Sequence, residues 1–143
     1  PVHNEAELLD RCLAALGDDD WSVMRHPWRN CVFDEATYSA TLVTRYDSAA
    51  MMRQHDRYLS DVWNHPRGWG LFATGNMVRR HTNTVWCLGE EWWGHNQTFS
   101  HQDQISLPVL FRTYAEGDHI GPRLRWNANL PWGEMWHLHP HGC

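Results

Sequence analysis

The stretch Ser100-His101-Gln102-Asp103-Gln104-Ile105-Ser106-Leu107-Pro108 sets the reading of this chain. A polar Asp-Gln pair opens an apolar run of helical character, shortly after the double tryptophan Trp92-Trp93. An acid at a helix start beside aromatic surface places one carboxylate in a polar, partly dry setting. That combination suits sugar chemistry. The competing reading is that Asp103 simply caps the helix that follows, a common use of acids at that position.

Working outward, the 143 residues suffice for one domain with a single core. Ten tryptophans and eleven histidines exceed ordinary usage. Burial preference assigns about two-thirds of the tryptophans to the core and leaves the rest for stacking on sugar rings. Every basic residue is arginine, and the net charge of −5 is spread without a basic stripe. Nucleic acid is therefore not expected as a partner. Cys12, Cys31, Cys87 and Cys143 are widely spaced and form no CxxC pair, which points to reduced thiols and a cytoplasmic location. No apolar run reaches membrane-spanning length and no signal peptide is visible.

The periodicity predicts an amphipathic helix from Asn4 to Leu16, with Leu8, Leu9, Cys12, Leu13 and Leu16 on one face, Asn4 as N-cap and Gly17 as terminator. Asp18-Asp19-Asp20 reads as a solvated turn rather than a metal motif, and Trp21 to Arg25 as a short strand. Helices are expected over residues 34–45, 48–59, 83–93 and 102–112, the last kinked or shortened by Pro108. Residues 71–81 should hold a strand, or two, bent at Gly75-Asn76. The stretch 117–143 reads as an irregular His- and Trp-rich tail with one short strand near Leu124 to Trp126.

Three segments in order carry a family resemblance: residues 25–36 (RHPWRNCVFDEA), residues 68–72 (GWGLF), and residues 77–81 (MVRRH) leading to Trp92-Trp93 and the Asp103-Gln104 run. Together they resemble the bacterial and plant glycosyltransferase-like family whose signature runs His-Pro-x-Arg, acidic-Glu-Ala, Gly-Leu, Arg-x-His, Trp-Trp and Arg-Asp-Gln-x-Ser. The likeness spans Trp21 to Arg112, with His101-Gln102 where the family has an arginine directly before the aspartate.

The resemblance implies an α/β fold of the GT-A type, a mixed sheet with flanking helices, here incomplete on the nucleotide-binding side, with residues 1–143 as one acceptor-side domain. It implies transfer of a sugar from a nucleotide-diphosphate donor to a glycan or other hydroxyl acceptor; either a partner chain supplies the nucleotide-binding half or the chain is a truncated product. Asp103 would be the base or the stabiliser of positive charge, and Gln104 would bond a sugar hydroxyl. Gly70, in the Gly-rich loop, would admit the donor or acceptor; an ordinary turn is the alternative. His26 and Arg29 would line the site, while a salt bridge from Arg29 to Asp34 or Glu35 is an equal alternative. Arg79 and His81, two apart on a strand, would reach the same pocket. A divalent cation, Mn or Mg, would neutralise the diphosphate. His137 and His139, alternating with His141 in the tail, are the candidate ligands, and His119 is a weaker one.

A non-catalytic carbohydrate-binding module, or an inactive fragment of such an enzyme, is the second expectation, with Trp69, Trp92 and Trp93 exposed as platforms in the module. A histidine-based metal hydrolase ranks last, for want of a His-Glu-x-x-His pattern.

Overall fold

The computed structural model describes residues 5–117 and 121–130. These form five helices and a three-stranded mixed sheet, so the fold is of the α/β class. The order is α1 (Glu5–Leu16), β1 (Trp21–Arg25), α2 (Val32–Ala40), α3 (Ser48–Leu59), β2 (Phe72–Arg79), α4 (Asn83–Thr98), α5 (Asp103–Glu116) and β3 (Trp126–Asn127). Strand β1 is central, antiparallel to β2 and parallel to β3.

The β1–β2 register runs from Trp21 opposite Arg79 to Arg25 opposite Phe72, with an irregularity where Val23 faces Met77 and Met24 faces Ala73. Residues 74–76 of β2 are thus the surplus of a bulge. The expected bend at Gly75-Asn76 is real, but it interrupts the pairing and does not split the strand. A bulge re-aims side chains, and here it frees Thr74 to reach across to α5.

Helix α5 is the spine of the core. Residues Ile105 to Phe111 are all buried. Ile105 and Val109 join Phe33, Ala36, Met51 and Tyr58 of α2 and α3 in one apolar cluster. Leu107, Leu110 and Phe111 join Trp21, Val23, Phe72, Val85 and Leu88 in a second, against the sheet and α4. A helix apolar all round belongs in the interior. This explains Pro108, which the sequence suggested would shorten the helix. It lies inside a helix that runs on to Glu116, because packing on both sides outweighs one missing backbone hydrogen bond.

Other boundaries also move. Helix α2 ends at Ala40, not Arg45, since the hydroxyls of Thr41 and Ser48 donate to the terminal carbonyls of Tyr38 and Ala40. Helix α4 continues through Gly94 to Thr98, because His95 stacks on Tyr58 and is needed on the inner face. In α1, Leu8 and Cys12 pack inward and Leu16 is buried, but Leu9 and Leu13 are exposed. The contact with the sheet is narrower than the five-residue stripe suggested. Asn4 lies outside the described residues.

The acidic turn departs from expectation as well. Asp18 is exposed, but Asp19 accepts from Asn127 Nδ2 at 2.7 Å, and buried Asp20 accepts from the Arg125 backbone N–H at 3.1 Å. The turn ties β3 to the start of β1. Cys12, Cys31 and Cys87 are free thiols. No helix among the described residues is long and apolar enough to cross a membrane.

Candidate functional site

At the C-terminal end of β1, four separate stretches of sequence meet around Glu35. This carboxylate sits on the first turn of α2 with only 3% of its surface exposed. Its Oε2 accepts from Arg29 Nε, and its Oε1 accepts from Gln102 Nε2 at 2.9 Å and Ser39 Oγ at 3.2 Å. Of the two salt-bridge partners open to Arg29, the structure selects Glu35. Asp34 points outward and pairs loosely with Arg67. A buried carboxylate needs such an arrangement, because stripping it of water is costly unless charge and hydrogen bonds replace the lost shell.

His26 lies beside this carboxylate. Its Nδ1 accepts from the backbone N–H groups of Trp28 at 3.3 Å and Arg29 at 3.1 Å. The remaining Nε2 therefore carries the proton of the neutral ring and faces Glu35 Oε2 at 4.0 Å. Burial lowers the His26 pKa, opposed by the Glu35 charge and assisted by Arg29. The backbone N–H of His26 donates to the Leu71 carbonyl at 2.9 Å, so the Gly70-Leu71 pair anchors the loop start. Gly70 has φ +153°, and a Cβ there would lie 3.3 Å from the Phe72 ring. Its glycine is required by conformation and by crowding against Phe72.

On the other side of the carboxylate is the start of α5. Its N-cap is Gln102, with no side-chain capping bond. Asp103 does not cap the helix. Its Oδ1 accepts from Thr74 Oγ1 in the β2 bulge at 2.8 Å, and its backbone carbonyl accepts from Trp92 Nε1 at 3.2 Å. Gln102 turns the opposite way, towards Glu35, and its Oε1 accepts from the Tyr46 hydroxyl at 3.2 Å. Burial raises the Tyr46 pKa; Arg45 opposes this, and the nearby Glu35 and Asp103 charges reinforce it. Tyr46 thus feels the charge of both carboxylates. The Gln104 side chain makes no hydrogen bond among the described residues.

The rim is aromatic. Trp28 is 78% exposed, with its ring edge-on to His26 at 5.7 Å, and the Arg29 guanidinium lies 4.3 Å over half-exposed Tyr38. The platforms named from sequence fare differently. Trp69 is half-buried against Trp126 and Phe72, and Trp92 packs edge-on to Trp21 while steadying Asp103. Trp93 alone of the three is open to solvent, at 62%.

Arg79 and His81 do not join this site. Arg79 pairs with Trp21 at the other end of β1, four strand steps or roughly 13 Å from the Arg25 end. His81 lies beyond the last residue of β2. The expectation failed because it placed both on one strand face without knowing which end of the sheet that face adjoined. His119, His137 and His139 lie outside the described residues. Among the described residues, no three His, Cys, Asp or Glu side chains gather as a metal site. Glu35 is a poor cation ligand, since Arg29 and the two hydrogen-bond donors already occupy its oxygens.

Sequence reasoning missed Tyr46, Thr74, Gln102 and Trp28. Glu35 was visible within its motif but not as the centre. Only the departure at His101-Gln102 flagged Gln102.

No protein-family model, curated protein or solved structure matches this chain.

Proposed function

We propose that this chain is the acceptor-side part of a GT-A-like glycosyltransferase. One observation carries the reading. His-Pro-x-Arg, acidic-Glu-Ala and Asp-Gln, which are scattered along the sequence, are tied together at Glu35 and the start of α5, where Leu71 of Gly-Leu holds His26 and Trp92 of Trp-Trp holds Asp103. In this reading the acceptor sugar lies on Trp28. Asp103, held by Thr74, takes the acceptor hydroxyl proton as that oxygen bonds the anomeric carbon and the diphosphate leaves, or it faces the positive charge developing on the donor sugar. Glu35 holds Arg29 and Gln102 in place and is a positioning residue. The nucleotide-binding groups come from a second chain or from sequence outside the described residues. A divalent cation would serve the diphosphate there, with His137 and His139 as this chain's candidate ligands.

The test is transfer from UDP- and GDP-sugars by the full chain, with and without manganese, followed by calorimetry with UDP and GDP. Metal-dependent turnover abolished in Asp103→Asn supports the reading. A second reading, a glycan-binding module without turnover, is favoured by the exposed Trp28 beside His26. No turnover with any donor, together with glycan binding lost in Trp28→Ala and kept in Asp103→Asn, would replace the first reading with the second.

A further inference from the structure

A cavity of about 390 Å³ opens at the far end of the sheet, between the end of β2 and the first turns of α4. Its lining includes Arg79, Arg80, His81, Trp86 and Glu90 and shares no residue with the Glu35–Asp103 cluster. The indoles of Trp21 and Trp92 stand between the two places, in edge-on contact at 6.3 Å.

Neither arginine of this cavity forms an ion pair with a carboxylate among the described residues. The Arg79 guanidinium lies 5.3 Å over the Trp21 ring and pairs with no carboxylate among the described residues. Arg80 is held by the main chain: its Nε donates to the Asp19 carbonyl at 2.9 Å and a terminal N–H donates to the Gly17 carbonyl. Carbonyl oxygens fix a guanidinium without cancelling its charge. Gly89 also lines the cavity, and a Cβ there would lie 4.0 Å from Arg79 Nη1. Trp86 presents an indole that is 70% exposed. Glu90 is the one acid in the lining.

A cavity of this size takes a small molecule. Two arginines without carboxylate partners select an anion, and the guanidinium fork fits phosphate oxygens. A bare indole beside them selects a ring that can stack. We infer that this cavity binds a small phosphorylated ligand, its phosphate against Arg79 and Arg80, its ring on Trp86 and its ring hydroxyls towards Glu90. The site is independent of the transferase reading and stands or falls by itself.

Titration calorimetry of the full chain with UMP, glucose 1-phosphate and inorganic phosphate at physiological salt tests it. Binding of UMP or of glucose 1-phosphate is expected, and which of them binds tells whether the ring is a base or a sugar. Arg79→Leu keeps aliphatic cover on Trp21 while removing the charge; it should weaken binding about 10-fold or more. Trp86→Ala, at an exposed position, should weaken it about 5-fold or more. Asp103→Asn should leave it unchanged, which separates this site from the Asp103 chemistry. Circular dichroism and melting temperature establish that each variant is folded. The inference is overturned by any of three results: no binding of either ring-bearing phosphate at millimolar concentration, equal affinity for inorganic phosphate, or undiminished binding in folded Arg79→Leu or Trp86→Ala.

Discussion

The side-chain amide of Gln102 donates to the buried carboxylate of Glu35 at 2.9 Å, across 67 positions of sequence. This bond clamps the start of α5 to the first turn of α2, and Arg29 and Ser39 close on the same carboxylate. Glu35→Ala removes the acceptor shared by all three donors, leaving Gln102 Nε2 only its 3.3 Å bond to Ser39 Oγ, and should cost roughly 2–4 kcal/mol in urea unfolding. Gln102→Leu should cost about 1–2 kcal/mol. The double variant should show a coupling of at least about 0.5 kcal/mol, and strict additivity would mean that the clamp contributes nothing as a unit.

Trp28 is exposed, so its loss should barely affect folding. Trp28→Ala is expected to shift stability by less than about 0.5 kcal/mol while weakening binding of an acceptor glycan. Thermal melting and glycan titration on the same preparation check both halves. A large drop in melting temperature would show that the indole is structural after all.

A directed hydrogen-bond chain crosses the helices. Ser100 Oγ donates to Gln54 Oε1 at 2.6 Å, and Gln54 Nε2 donates to the Tyr58 hydroxyl at 3.1 Å. The Tyr58 proton must then go to His95 Nδ1, 2.6 Å away. This fixes His95 as a neutral ring with its proton on Nε2, towards Glu91 Oε1 at 3.9 Å. Burial lowers the His95 pKa, with the Glu91 charge opposing and Arg57 assisting. Tyr58→Phe removes the donor that favours the neutral ring. His95 should titrate at higher pH in the variant by NMR, and stability should fall by about 1–3 kcal/mol. An unchanged or lower pKa would contradict the assigned direction of the chain.

His65 is 3% exposed, enclosed by Phe33 and Trp69, and its Nδ1 has no hydrogen-bond partner among the described residues. Burial, reinforced by the Arg112 charge, lowers its pKa from 6.5 to about 4. As pH falls, the unfolded chain takes up this proton before the folded one does. The stability conferred by the neutral ring is whole above pH 6.5 and is lost between there and about pH 4. The loss is on the order of 3 kcal/mol. His26 and His95 are shifted in the same direction and add to it. Urea unfolding from pH 7 to 4.5 should show wild type losing more stability than His65→Phe, and parallel curves would refute the assignment.

Much of the chain was legible before folding. Helices α1 and α3, strand β1 and the strand through residues 72–79 follow from period and breakers. The motif residues His26 and Arg29 do come together beside Glu35, while Asp103 is held by Thr74 and Trp92. What stayed hidden has a common cause. Tyr46 and Thr74 look unremarkable in sequence: one lies in the turn between α2 and α3, the other in a bulge. Each acquires its role from a residue far along the chain, Gln102 for Tyr46 and Asp103 for Thr74. Arg79 and His81 show the reverse, a local pattern that placed two side chains correctly near each other and wrongly near Asp103.

The sequence by itself determined which segments are helical or extended, because side-chain period and turn chemistry act over a few residues. It also determined that an apolar run follows Asp103-Gln104. Only the tertiary structure decided where helices end, since Gly94 and Pro108 are overruled by the burial of their neighbours. It alone decided that Asp103 turns to Thr74 rather than to its own helix end, and that Arg79 lines a cavity at the other end of the sheet. Those outcomes depend on strand register and on the β2 bulge, which are settled by contacts between residues far apart in sequence.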